Sequence, residues 1–392
     1  MINIAILGFG TVGSGVYEVL KKDGDIIAER VGEEVGIKYI VEIRDFSNHE
    51  DAHLFTKDYS TVLSDDSVSV VVEMMGGVEP AYSFTKDAIL SGKSVVTSNK
   101  ALVAAKGAEL FRLAREKGVF YRYEASVGGG IPVIRPIGTC LAANRITRVM
   151  GILNGTTNYI LTKMIDEGQS FETALADAQK KGYAEADPTA DVEGHDTCRK
   201  IAILSSLIFG KDVDFTKIST EGITTIEPED VEYAEALGCS IKLIGLARIG
   251  RDKVFARVSP MLIPSDSPLG GVKDVFNAVL LTGDNVGDVM LYGSGAGKLP
   301  TASAVVSDVI DIARGISENR RLDWVAGDSS YVTPLEETKV TCLVRSSEEI
   351  EDATCIDIGL EGEKGYILRN INESDLADLM KSHKGAKKFI RM

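Results

Sequence analysis

The chain is poor in several things, and each shortage excludes a class of protein. It has five cysteines in 392 residues, Cys140, Cys198, Cys239, Cys342 and Cys355, scattered and without a C-x-x-C pair. That argues against a disulfide framework or a thiolate zinc site and fits reduced thiols. Basic residues are outnumbered, 43 against 58 acidic, for a net charge of −15. A nucleic acid or an anionic membrane is a poor partner for such a surface. No apolar run is long enough to span a bilayer, and no basic-then-apolar leader precedes the first strand, so a cytoplasmic protein is expected. What remains is ordinary for a globular chain: 44% hydrophobic and 26% charged residues, enough for two or three domains.

The N-terminal third alternates between two periods. Residues 2–7, Ile-Asn-Ile-Ala-Ile-Leu, read as a short buried strand. Gly8-Phe9-Gly10-Thr11-Val12-Gly13 follows at once, and helical periodicity runs over residues 14–22. A glycine motif alone is weak evidence, but between a strand and a helix it points to a dinucleotide. The glycines allow a tight turn and close approach to a pyrophosphate, which the helix N-terminus favours. A second strand over 37–43 runs into Arg44-Asp45. Arg44 would suit the 2′-phosphate of NADP, whereas Asp45 would suit the ribose hydroxyls of NAD. Strands over 67–73, 94–96 and 119–123 alternate with helices over 80–91 and 102–117, which predicts a parallel, doubly wound α/β sheet. Thr97-Ser98-Asn99-Lys100 then lies beyond the carboxyl end of a strand, where a nicotinamide would meet its substrate.

Residues 182–200 are the most informative stretch. Five carboxylates, Glu185, Asp187, Asp191, Glu193 and Asp196, crowd between Gly182 and Lys200, and an apolar run, Ile201-Ala202-Ile203-Leu204, follows. Like charges at this density are costly unless cations, substrate or solvent offset them. Asp196 and Lys200 are four apart and share a face of any helix there. A lysine abutting an apolar run is a candidate acid/base. A solvated acidic loop is the bland alternative. His195 is expected to face solvent.

These segments together resemble the homoserine dehydrogenase family. The glycine motif, the Thr97–Lys100 turn, residues 124–132 (Glu-Ala-Ser-Val-Gly-Gly-Gly-Ile-Pro), residues 153–161 (Leu-Asn-Gly-Thr-Thr-Asn-Tyr-Ile-Leu), the acidic segment and residues 295–303 (Gly-Ala-Gly-Lys-Leu-Pro-Thr-Ala-Ser) occur in family order over about residues 1–318. The resemblance implies interconversion of L-homoserine and L-aspartate 4-semialdehyde with NADP or NAD, in the biosynthesis of threonine, methionine and isoleucine. It implies that Lys200 exchanges the hydroxyl proton and that Lys100 lies between nicotinamide and substrate. Glu185 and Asp196 would bind homoserine, with Asp191 in support. Gly8, Phe9, Gly10, Thr11, Val12, Gly13, Arg44, Thr97, Ser98, Lys100, Gly182 and Gly297 would contact the cofactor. Glu124 and the carbonyls of Val127, Gly129 and Ile131 would hold a sodium ion. A homodimer is implied, or a tetramer if the C-terminal tails also pair.

Three regions are expected. Residues 1–135 would form the dinucleotide domain, completed by a returning helix over 300–318. Residues 136–299 would form an α+β substrate and dimerisation domain. Residues 319–392 would be a small α+β tail that resembles an ACT module lacking the first helix that a threonine-sensing pocket needs, and it is expected to serve as a stability or dimer-contact element, the alternative being a regulatory remnant. Two rivals fare worse. A thioester-forming semialdehyde dehydrogenase needs a cysteine activated by a histidine, and no such pair stands out. An NAD(P)-sensing regulator would not need two lysines and a carboxylate cluster.

Overall fold

The computed structural model describes residues 1–315 and 322–392. The chain divides into two compact units, one of Met1–Arg145, Ala202–Asp214 and Leu291–Asp328, the other of Ile146–Ile201, Phe215–Met290 and Ser329–Met392.

The first unit is built on a six-stranded parallel sheet: β1 (Ile2–Leu7), β2 (Val35–Val41), β3 (Phe55–Thr56), β4 (Val68–Glu73), β5 (Ser94–Thr97) and β6 (Tyr121–Arg122), in the order β3-β2-β1-β4-β5-β6. β1 and β4 are mostly apolar, with residues 4–7 and 70–72 fully buried, because parallel strands are covered on both faces. Ile4, Ile6, Val70, Val72 and Val96 share a core with Val16 and Leu20 of the helix Thr11–Lys22 and with Ala302, Val305 and Val309 of the helix Lys298–Ala313. This is the expected doubly wound α/β sheet. Its strand order reverses between β1 and β4, which opens a crevice at their carboxyl ends. The returning helix is in place from Lys298 to Ala313, and residues 316–318 of that expectation lie outside the described residues. The second strand ends at Val41, two residues earlier than expected, which changes the reading of residues 42–45 below. Short helices at Gly24–Val31 and Tyr59–Ser64 were not anticipated.

The second unit carries a mixed ten-stranded sheet. Its strands are β7 (Ile146–Ile152), β8 (Ser219–Thr220), β9 (Cys239–Ile249), β10 (Val254–Pro264), β11 (Phe276–Gly283), β12 (Gly287–Ser294, counted with the first unit from Leu291), β13 (Lys339–Ser346), β14 (Thr354–Ile356), β15 (Lys364–Asn372) and β16 (Ala386–Arg391). The path is β12-β11-β7-β9-β10-β16-β13-β15-β14, with β8 beside β10. Residues from Ser329 on, set apart above as a tail, belong to this unit, and β16 pairs with β10 at Met261↔Arg391. The junction is ionic as well as hydrogen-bonded: Glu373 pairs with both Arg257 and Arg391, each bond 2.8 Å. No helix follows β13, in keeping with the sequence over 346–351. This unit also contains the helix Pro228–Ala236. The helix has a sequence signal, Pro at its first position with a capping box between Glu227 and Asp230.

Candidate functional site

In the first unit the glycine motif turns directly into the helix Thr11–Lys22, with Gly10 at its N-cap. Gly8 has φ +89, and a side chain on Gly13 would lie 2.0 Å from the Gly8 carbonyl oxygen, so the turn itself requires glycine at both positions. A side chain on Gly10 would meet nothing within 4 Å. Room is left there, at a helix N-terminus, for an anionic ligand to approach the backbone. The motif's Phe9 side chain is buried in the core of this unit. Its ring packs edge-on against Phe55 at 5.0 Å and Phe46 at 5.2 Å.

The acid that faces this loop is Glu42, which sequence reasoning left inside the strand. It accepts the Phe9 N–H at 2.8 Å and the Arg44 N–H at 3.1 Å, and pairs with Arg44 Nη2 at 2.8 Å. The Arg44 bond, with these backbone donors, holds its carboxyl down at about 2. Arg44 also donates to the Phe9 carbonyl at 2.8 Å, so its guanidinium is laid against the glycine loop. Asp45, the expected ribose acid, is exposed and folds back onto the Ser47 N–H at 2.9 Å. Because the strand ends at Val41, the residue carried to the loop is Glu42 and not Asp45.

At the end of β5, Thr97 donates to Glu73 Oε2 at 2.6 Å and accepts the Asn99 N–H at 2.9 Å. Asn99 caps the helix Lys100–Lys117 by accepting the Leu102 N–H at 3.1 Å. Ser98 and Lys100 are half-buried on this edge. Gly297, with φ +113, caps the helix Lys298–Ala313. Gly129 lies against Gly295, where a Cβ would stand 2.3 Å from the carbonyl oxygen.

Glu124 does not present the face expected of a cation ligand. Its buried carboxylate accepts the N–H groups of Val133 at 2.5 Å, Ile134 at 2.8 Å and Arg135 at 2.8 Å, and Arg135 Nε at 3.3 Å. Two donors on each oxygen fill its acceptor capacity. The carboxylate therefore has no acceptor left for a cation, being committed to the head of the helix Ile134–Gly138. Asp308 and Asp311 complete a buried group around Arg135, with Asp311 at 2.9 Å. Burial and the Glu124 charge push Asp308 up to about 7.

The second unit gathers the acidic segment's central residues. The helix His195–Phe209 places Asp196 and Lys200 on one face, Nζ to Oδ2 2.7 Å, with both nearly buried. Lys200 also donates to the Leu153 carbonyl at 2.6 Å. Asn154 Nδ2 bridges Asp191 at 2.7 Å and Asp196 at 3.0 Å, while its oxygen caps the helix Gly155–Glu167 through the Thr157 N–H at 2.9 Å. Burial, reinforced by the Asp196 charge, raises the Asp191 carboxyl. Lys200, Asp196 and Asp191 are thus brought together, and Asn154 joins them. Its place in the Asn-Gly-Thr-Thr-Asn run was noted, but not its bridging. Glu185 is not brought in: it is exposed, as is Gly182, which has φ +76 just after the helix Phe171–Lys180. His195 is exposed as expected, and the Cys198 thiol donates to the Phe215 carbonyl at 3.4 Å. Chemically, the cluster holds one ammonium among carboxylates in a partly dry setting, suited to binding a cationic group or relaying a proton.

Comparison with known proteins bears on both units. A family model described as homoserine dehydrogenase matches residues 132–310, and one described as homoserine dehydrogenase, NAD binding domain, matches residues 8–124. A homoserine dehydrogenase of Pseudomonas aeruginosa is 46% identical over 323 residues, which are 81% of this chain and 74% of that protein. The crystal structure of a homoserine dehydrogenase from Thiobacillus denitrificans superposes with a TM-score of 0.89 at 36% identity, covering 100% of this chain and 97% of that one. A hyperthermophilic archaeal homoserine dehydrogenase in complex with NADPH matches at TM-score 0.69 and 28% identity, over 81% of this chain and 98% of that one.

Proposed function

The chain belongs to the homoserine dehydrogenase family, and from that premise we propose that it interconverts L-homoserine and L-aspartate 4-semialdehyde with Lys200 as the acid/base. The observation that supports this most directly is the buried ion pair of Lys200 and Asp196, held by Asn154 beside Asp191. In the reductive direction the Lys200 ammonium gives a proton to the carbonyl oxygen as hydride reaches its carbon; in the oxidative direction the neutral Lys200 amine takes the hydroxyl proton as hydride leaves the carbon that bears it. Asp196 accepts from the substrate ammonium, with Glu185 brought in from its exposed position when substrate binds. Asp191 and Asn154 hold Asp196 in place.

The nicotinamide dinucleotide supplies the hydride acceptor or donor when bound. The opening at Gly10, the helix head at Thr11, Val12 and Gly13, and Gly297 are the positions of the first unit that we assign to holding it. Arg44 favours NADP over NAD, because a guanidinium already beside the loop can pair with a 2′-phosphate. We assign Lys100 to the nicotinamide end of the site, as the family resemblance implies. A cation at residues 127–131 would rest on backbone carbonyls without the Glu124 carboxylate, and no step depends on it. We expect a homodimer built on the second unit's sheet, checked by sedimentation at micromolar concentration; a tetramer would need a further interface. The decisive assay is oxidation of NADPH with aspartate semialdehyde in the absence of phosphate and acyl acceptors. Activity only in their presence would favour a thioester-forming enzyme, and none at all a cofactor-sensing protein.

A further inference from the structure

One fully buried carboxyl group on the ligand edge of the first sheet has no place in the reaction above. Glu73 ends β4, beside Leu7 at the end of β1 and Thr97 at the end of β5. Its side chain ties three segments together. Oε2 accepts the Thr97 hydroxyl at 2.6 Å and Oε1 accepts the Met75 N–H at 2.6 Å. Thr97 passes the connection to the Asn99 N–H at 2.9 Å, and Asn99 both caps the helix that starts at Lys100 and donates to the Gly77 carbonyl at 2.7 Å. The Met74–Met75 turn stands against the glycine loop, where a side chain on Gly8 would lie 3.2 Å from the Met74 carbonyl oxygen. No Lys or Arg pairs with Glu73 among the described residues, and burial pushes its carboxyl up to about 7. An acid kept dry without a cation costs stability. Packing alone does not account for it.

We propose that Glu73 is a positioning residue: through Thr97 and Asn99 it fixes the head of the helix Lys100–Lys117, and so where Lys100 stands over the nicotinamide end of the site. The inference rests on the reading of Lys100 given above. Three variants test it: Glu73→Ala, Glu73→Gln and Thr97→Val, with kcat, homoserine KM and NADPH affinity measured on each. Glu73→Ala frees the turn, and misplacement of a group at the reacting centre by about 1 Å can cost on the order of 100-fold. We expect kcat to fall at least ~10-fold in Glu73→Ala and in Thr97→Val, with homoserine KM within about 3-fold of wild type. Glu73→Gln, which keeps the shape and one acceptor oxygen, should recover most of that loss. A residue that only stabilised the fold would lower the melting temperature and leave kcat of the folded variants alone. Thr97→Val is nearly isosteric and leaves Glu73 its Met75 N–H donor, so it serves if Glu73→Ala does not fold; kcat within about 2-fold of wild type in that variant overturns the proposal. Lys100→Ala separates the two layers. If it turns over normally, the reading of Lys100 falls and this inference with it. If Lys100→Ala is slow while the Glu73 and Thr97 variants are not, this inference alone is wrong.

Discussion

Replacing Glu124 with alanine should destabilise the first unit severely, and the way it does so tells a helix cap from a cation ligand. The carboxylate accepts three backbone N–H groups at the start of Ile134–Gly138 and one guanidinium N–H. It is 1% exposed, so water does not replace it. An unsatisfied buried donor costs about 1–3 kcal/mol, and three of them imply a loss of about 3–9 kcal/mol, toward the lower end if the short helix relaxes. Arg135 keeps Asp311 at 2.9 Å and adds little to the loss. Glu124→Gln keeps an oxygen but turns an NH₂ group toward N–H donors, so it should recover less than half. The assay is urea unfolding followed by tryptophan fluorescence. Trp324 is the chain's single tryptophan, it is buried against Phe111 at 4.7 Å, and both belong to the first unit. The wild-type-to-variant difference should be the same in sodium chloride and in choline chloride. A difference under about 1 kcal/mol, or one that vanishes when sodium is withheld, would refute the capping argument.

Other consequences follow from the same geometry. Lys200→Ala should fold and lose about 10²–10⁴-fold in turnover, the usual scale for general acid–base catalysis; near-normal turnover would take Lys200 out of the chemistry. Arg44→Ala should lower kcat/KM for NADP more than for NAD, and equal losses would mean that Arg44 serves only Glu42 and the Phe9 carbonyl. Glu73 sits at about 7 in the folded chain against an ordinary 4.5. The folded state therefore holds the proton more tightly, and stability is lost as pH rises from 4.5 to 7, by up to about 3 kcal/mol. Glu73→Gln lacks that slope, so its stability relative to wild type should rise between pH 5 and pH 8; a pH-independent difference would contradict the burial argument.

The first sheet was legible because its signals are local. Apolar runs long enough to be covered on both faces alternate with amphipathic helices, and only βαβ winding accommodates that order. Tyr59–Ser64 and Gly24–Val31 escaped because six or eight residues carry too little periodicity. In the second unit, residues 319–392 read as a small α+β tail, but not as part of a larger sheet. Nothing within those residues says that β16 will lie against Met261, since Arg391 and Glu373 find Arg257 and Glu221 more than a hundred positions away.

The site divides along the same line. Asp196 and Lys200 were readable as a pair because four residues on a helix is a local relation. Asn154 was not, because its bridge to Asp191 and Asp196 spans 37 and 42 positions and depends on how β7 enters its helix. Glu42 shows how small an error suffices. Two residues of strand length decide which acid points at the glycine loop, and element ends are where periodicity carries least information. Glu124 marks a different limit. A carboxylate beside three glycines suits a hard cation as a composition, yet the same carboxylate suits the bare N–H groups of a helix start just as well. Only the direction of the chain at Val133 separates the two, and that direction follows from packing around Arg135 and Asp308 rather than from the loop's own residues. A buried acid is therefore read more safely by counting the donors that surround it than by the type of loop that carries it.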